Sequence, residues 1–289
     1  MIQRIQDWLA PEPHDELRSV DVVRVAAAAI LLTHPLHALV HPEDARAIAS
    51  GLASRAVPLS LSLGVAWGAL VVQLTAAALL LFRRGAFLGA IVSVAVLTGG
   101  ALLLYAPRWY TMGGLSEEGH PGMELNALLA ACAVGVALAY RPGAGDKVRA
   151  AHHGMEVIRI ASALSLLAHG APCFVLRDVE GMREWGEAMT QQGWPFGVAL
   201  VWSIKSVELV ASLLRLSRRL VVPACFAHLS YLVPALWIEH HLRWFVVGPG
   251  ENGIEFPLLL DVCATACILA YWPRRASAPA VEALPAAAP

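Results

Sequence analysis

Charge is scarce in this chain. Only 15% of its 289 residues are Asp, Glu, Lys or Arg, while 57% are hydrophobic. Soluble domains average about 25% charged and about 45–50% apolar, so little polar surface is left to coat a water-soluble globule. The formal net charge of −1 gives no basic excess for nucleic acid. Cysteine is sparse as well: five residues without a CxxC pair exclude a disulfide scaffold and the usual zinc frameworks. Also missing are a Walker loop, a Rossmann fingerprint, GxSxG, HExxH and an EF-hand. The glycines at 248, 250 and 253 precede an apolar run and lack a P-loop lysine, so they read as a turn and cap. The first seventeen residues lack the basic start, apolar run and small-residue cleavage site of a signal peptide.

Long apolar runs are abundant. Eight stretches reach the roughly 20 residues a spanning helix needs: 20–40, 58–82, 86–106, 123–140, 157–176, 196–216, 221–238 and 254–271. Barrel-type alternation is absent, so helices are the expected spanning element. Pro121-Gly122, Arg141-Pro142-Gly143 and Gly248-Pro249-Gly250 punctuate the runs. Ile2, Ile5, Trp8 and Leu9 share a helical face, predicting an interfacial segment over 1–19. The Ala/Pro-rich residues 274–289 read as a flexible tail. Twelve of the 21 cations fall on the side that holds both termini and six on the other. The positive-inside bias then makes both termini cytoplasmic, and the cell (inner) membrane is the expected location. Trp109, Trp194, Trp244 and Trp272 sit where interfacial anchors belong.

The chain repeats itself. Adding 135 carries Arg24 to Arg159, His34 to His169, Arg83-Arg84 to Arg218-Arg219, and Arg108-Trp109 to Arg243-Trp244. Past Gly113 and Gly248 the offset becomes 131, carrying Glu124 to Glu255, Cys132 to Cys263 and Tyr140 to Tyr271. The units run over 20–142 and 157–273, with a cytoplasmic linker at 143–156. An even number of spans per unit gives both copies the same orientation, unlike an inverted-repeat carrier. The expected fold is an all-α integral membrane protein of eight transmembrane helices, arranged as two parallel-repeat four-helix bundles.

The second unit resembles the DoxX family of small four-helix membrane proteins, and the first unit does so more weakly. The likeness rests on Arg159 with His169-Gly170, on Glu208 followed by Arg218-Arg219, and on Gly248-Pro249-Gly250-Glu251-Asn252-Gly253-Ile254-Glu255-Phe256. A lysine usual after the first-span glycine is missing, with Cys173 and Phe174 in that region, and Gln73 stands where the second unit has Glu208. The resemblance implies the four-helix unit. It also implies association with thiosulfate:quinone oxidoreduction, methylamine utilisation or protein assembly.

Ionisable groups inside a bilayer are costly and usually face a bundle interior with a partner. Glu208 stands about nine residues, roughly 13 Å, above the inner end of its span. His228 lies at similar depth, Lys205 is one turn above Glu208, and the long side chain of Arg159 reaches upward. Glu208, Arg159 and His228 are therefore the expected catalytic cluster. Gln73, Arg24, Ser93 and, for Lys205, Leu70 are the first-unit counterparts, so only the second unit could carry this chemistry. A buried ion pair that fixes helix register is the alternative reading of the same residues. His34, His169, Glu124 and Glu255 form an outer set expected to line a cofactor site, near His37, His41, His120, Glu251 and Glu239-His240-His241. Imidazoles and carboxylates can bind metal, relay protons or hydrogen-bond a quinone head group. Helix dipoles alone also favour glutamate in a first turn. A haem needs two facing imidazoles, and His34 and His169 are expected in different bundles.

Cys132, Cys225, Cys263 and Cys267 fall within spans, where a thiol behaves as a small hydrophobe. Asp261, with Ala130 as its counterpart, is a further intramembrane candidate, and Arg243 is its expected outer partner. The sequence thus points to a membrane subunit of a quinone-linked redox system. The lipid bilayer is its setting, a protein electron donor its expected partner, and quinone the favoured cofactor over haem or metal. A non-enzymatic scaffold or assembly factor and proton or small-solute conduction stay open as alternatives.

Overall fold

The computed structural model describes residues 16–54, 58–102, 124–175, 179–238 and 253–272. These form helices α1 (Glu16–Val40), α2 (Pro42–Ala53), α3 (Leu59–Leu81), α4 (Ala86–Gly100) and α5 (Glu124–Ala139) in the first unit. In the second unit α6 (Lys147–Val175), α7 (Val179–Gln191), α8 (Gly197–Leu216), α9 (Val221–Ile238) and α10 (Glu255–Tyr271) follow in the same order. No strand occurs among the described residues. Helices α1, α3 and α8 are long and apolar enough to cross a membrane, and α4, α5 and the 221–236 portion of α9 are shorter apolar helices. The interfacial segment, His120, Glu239, His240, His241, Arg243, Glu251, Trp109, Trp244 and the tail lie outside the described residues.

All eight apolar stretches contain a helix, and two helices were not anticipated. Helix α2 starts with Pro42 in its first turn, followed by Glu43 and Asp44, a sequence suited to the positive end of the helix dipole. It buries Ala45, Ala49 and Leu52, spaced i, i+4 and i+7 so that one face meets the core. Helix α7 buries Met182, Gly186 and Met189 at the same spacing, each 137 positions on from its α2 counterpart. Both helices belong to the repeat. Each unit is a long helix, a short amphipathic helix and three further helices.

Within each unit the four long helices close a ring, α1, α3, α4 and α5 in the first and α6, α8, α9 and α10 in the second, and the two rings share a core. One apolar core runs from Val20, Ala27 and Ile30 of α1 through Cys132 and Val136 of α5, Met155 and Ile158 of α6, to Cys263 and Ala270 of α10. Those four helices pack against one another as a shared centre. Helices α3 and α4 flank it as the continuation of the first unit, and α8 and α9 as that of the second. A close seam joins α5 to α6: a β-carbon on Gly154 would lie 2.3 Å from the Gly135 carbonyl oxygen. Both positions therefore need glycine for backbone proximity. Outward faces keep Val71, Leu88, Ile91, Val210, Leu213 and Phe226 exposed.

Candidate functional site

Each unit builds an arginine clamp at one end. The Arg24 guanidinium donates to the Leu80 carbonyl oxygen and pairs with Asp21 at 2.7 Å, and Asp21 also receives Arg83 and the Tyr140 hydroxyl. At positions 135 higher, Arg159 donates to the Arg215 carbonyl and pairs with Glu156 at 2.8 Å, while Arg218 approaches Glu156 at 3.7 Å. The carbonyls belong to the last turns of α3 and α8, which leave such acceptors without intrahelical partners. Arg159 is thus a structural tie between α6 and the end of α8. Its carboxylate is Glu156, whereas Glu208 had been the expected neighbour.

Glu208 is 7% exposed and holds Lys205 at 2.9 Å on its own helix. Lys205 in turn lies over the Trp185 ring of α7, 5.4 Å from its centroid. Gly170 lets α6 approach α8 here, because a β-carbon at that position would stand 3.1 Å from the Glu208 Cβ.

His228 takes neither of those partners. Its Nδ1 lies 3.2 Å from Nη1 of Arg215, which is fully buried. Arg215 also donates through Nη2 to the Ser162 hydroxyl at 2.5 Å and lies 3.9 Å from the Cys267 sulfur. Counting charges along the sequence placed Arg215 with the surface arginines 218 and 219; the structure places it in the core. Seven residues separate it from Glu208, about 10 Å along α8, so both share a face at different depths. The expected triad of Glu208, Arg159 and His228 is therefore split among three local partners. Sequence reasoning missed Arg215, Ser162, Asp21 and Glu156. The repeat offset was the available signal, since it aligns Asp21 with Glu156 and sets Arg215 opposite the buried Leu80.

Asp261 of α10 is 6% exposed, and neither carboxylate oxygen has a hydrogen-bond partner. Nε2 of His228, Nε of Arg215 and the Tyr271 hydroxyl also lack partners. Buried polar atoms without partners are rare and need an explanation.

The outer set does come together, across the units. His34 Nε2 meets Glu255 at 3.0 Å, and His169 Nε2 meets Glu124 at 3.1 Å. Each histidine therefore takes the carboxylate of the other repeat. His34 and His169 sit on adjoining helices, α1 and α6, where the two units meet. With each imidazole held by a glutamate, the pair does not present itself as facing haem ligands. His37 and His41 turn instead to the first turn of α2, reaching Asp44 at 2.5 Å and Glu43 at 3.1 Å. Among the described residues no group of three or more His, Cys, Asp or Glu side chains is arranged to hold a metal ion.

Compared with known protein families, curated proteins and solved structures, the chain has no match.

Proposed function

We propose that this chain is an eight-span, DoxX-like protein of the inner membrane with both termini cytoplasmic, acting as a subunit of a quinone-linked redox system. The observation that carries the reading is an asymmetry between equivalent positions. The second unit buries Lys205, Glu208, Arg215, His228 and Asp261, where the first has Leu70, Gln73, Leu80, Ser93 and Ala130. Burying ionisable groups in one copy of a duplicated fold that does without them in the other points to a role beyond folding. In this reading an apolar ring enters the second unit, His228 and Asp261 exchange its protons, and a partner protein delivers electrons. Glu208 and Lys205 set the field at mid-depth. The histidine–glutamate pairs line the outer half.

The test is quinone-dependent turnover by the purified protein with candidate donors, repeated with Glu208→Gln and Asp261→Asn. Activity lost with folding intact supports the reading. An intact protein that retains no quinone and turns none over overturns it. A scaffold or assembly role is the second reading, favoured by the presence of the arginine clamp in both units. Under that role Glu208→Gln lowers stability and leaves no chemistry to lose.

A further inference from the structure

Arg215 is an unmatched charge. It is fully buried, yet its partners are an imidazole, a hydroxyl and a thiol. It forms no salt bridge with any described residue. A guanidinium does not shed its proton inside proteins, so it cannot escape burial by becoming neutral. Removing such a charge from water costs several kcal/mol unless an opposite charge compensates. Asp261 does not serve: it lies six residues from Cys267, about 9 Å along α10, and its oxygens stay unpartnered.

The surrounding hydrogen-bonding capacity is also one-sided. Arg215 can only donate, so His228 Nδ1 must be the acceptor in their contact, which puts the neutral ring's proton on Nε2. That Nε2–H is buried with no acceptor, and so is Nε–H of Arg215. The Ser162 hydroxyl accepts from Arg215 and passes its own proton to the Ile158 carbonyl at 2.8 Å. What remains at the guanidinium itself is one positive charge and two donors without acceptors, Nε–H of Arg215 and Nε2–H of His228. The first unit fills the equivalent space with Leu80, Ala27, Ser93 and Val136; Leu80 is itself fully buried.

We propose that the interior of the second unit, between α6, α8, α9 and α10, binds a small monovalent anion at Arg215 and His228. The anion supplies the missing negative charge and accepts one of the two orphaned N–H groups, which point away from each other across the Arg215–His228 contact. Entry is from the end where α8 stops at Leu216, one residue past Arg215. Arg218 and Arg219 stand at that end and raise the local anion concentration. The site does not depend on the quinone reading, because it concerns charge compensation and no electron transfer.

The experiment uses the purified full chain in detergent, with thermal unfolding followed in sodium gluconate, chloride and formate at one ionic strength. Chloride and formate separate a halide site from a carboxylate site, and gluconate is too large for either. The melting temperature should rise by roughly 3 °C per tenfold increase in the bound anion above its Kd. Arg215→Leu installs the first unit's own residue; it should unfold at the same or a higher temperature in gluconate and lose the anion response entirely. His228→Ser, again the first unit's residue, should weaken binding at least tenfold and keeps the test open should the leucine variant not fold. An anion-independent melting temperature in the wild type overturns the proposal, as does an undiminished response in Arg215→Leu. A Cys267 thiolate detected by its ultraviolet absorbance at neutral pH would also overturn it, because the counter-charge would then be internal.

Discussion

The sulfur atoms of Cys132 and Cys263, equivalent residues of the two repeats, meet at 3.6 Å in the centre of the core. Equivalent atoms can touch only where the axis relating two copies passes. That axis therefore runs between α5 and α10, and the swapped histidine–glutamate pairs follow from it. Contacts across the axis are as much part of the fold as contacts within a unit. Cleavage at a protease site inserted in the loop at 141–146 should therefore leave two fragments that co-purify through size-exclusion chromatography. Fragments that separate without denaturant would mean that each unit has its own core.

The two cross-unit pairs should contribute comparably, since their N···O separations differ by only 0.1 Å between His34–Glu255 and His169–Glu124. A close pairing of a buried carboxylate is worth about 1.5–3 kcal/mol, the range of contacts to a charged group. A double-mutant cycle on His34→Asn and Glu255→Gln should give a coupling energy of about that size. The cycle on His169→Asn and Glu124→Gln should match it within about 0.5 kcal/mol, the usual additivity error. A near-zero coupling in either cycle would assign those residues to hydration alone.

Much of this arrangement can be read from the sequence, but only along the chain. Apolar runs reveal eight helices because a spanning or core helix must be hydrophobic over its whole length. Helices α2 and α7 escape that criterion: each is short, with only one apolar face, and their signature is the three-residue pattern of Ala45, Ala49 and Leu52. The repeat pairs His34 with His169 and Glu124 with Glu255, yet it leaves open which histidine meets which glutamate. That choice depends on α1 lying beside α10, a contact between opposite ends of the chain. Arg215 was hidden by its neighbours, because Arg218 and Arg219 make the whole segment look like a surface basic cluster. Phase on α8 distinguishes them, as Arg215 lies two turns from Glu208 on the buried face.

The α5–α6 seam should be intolerant of even one methyl group. A β-carbon on Gly154 meets backbone oxygen at 2.3 Å, and one on Gly135 meets Ile158 Cγ1 and the Gly154 oxygen at 2.7 Å. Backbone cannot swing aside as a side chain can, so Gly154→Ala must spread the helices. Overpacking of this kind costs about 1–3 kcal/mol or more. Gly64→Ala is the control, because nothing lies within 4 Å of its added carbon, and alanine is better by about 1 kcal/mol within a helix. Thermal unfolding of the two variants should move in opposite directions.

The clamp arginines should behave unlike Arg215, although all three are buried. Arg24 and Arg159 each face a carboxylate and a helix-terminal carbonyl, so removing either takes the nearest cation from a carboxylate and the side-chain donor from a carbonyl. Breaking a buried pair by deleting one member costs about 3–5 kcal/mol. Arg159→Met keeps most of the side-chain volume and should lose stability of that order, read from unfolding in denaturing detergent. Arg24→Met should lose a similar amount, with Asp21 retaining Arg83 and Tyr140 as partial compensation. Arg215→Leu should cost nothing or add stability in the absence of anion, because that residue has no carboxylate to orphan. A loss in Arg215→Leu as large as in Arg159→Met would show the guanidinium to be held by compensation within the protein, and would place all three arginines in one structural class.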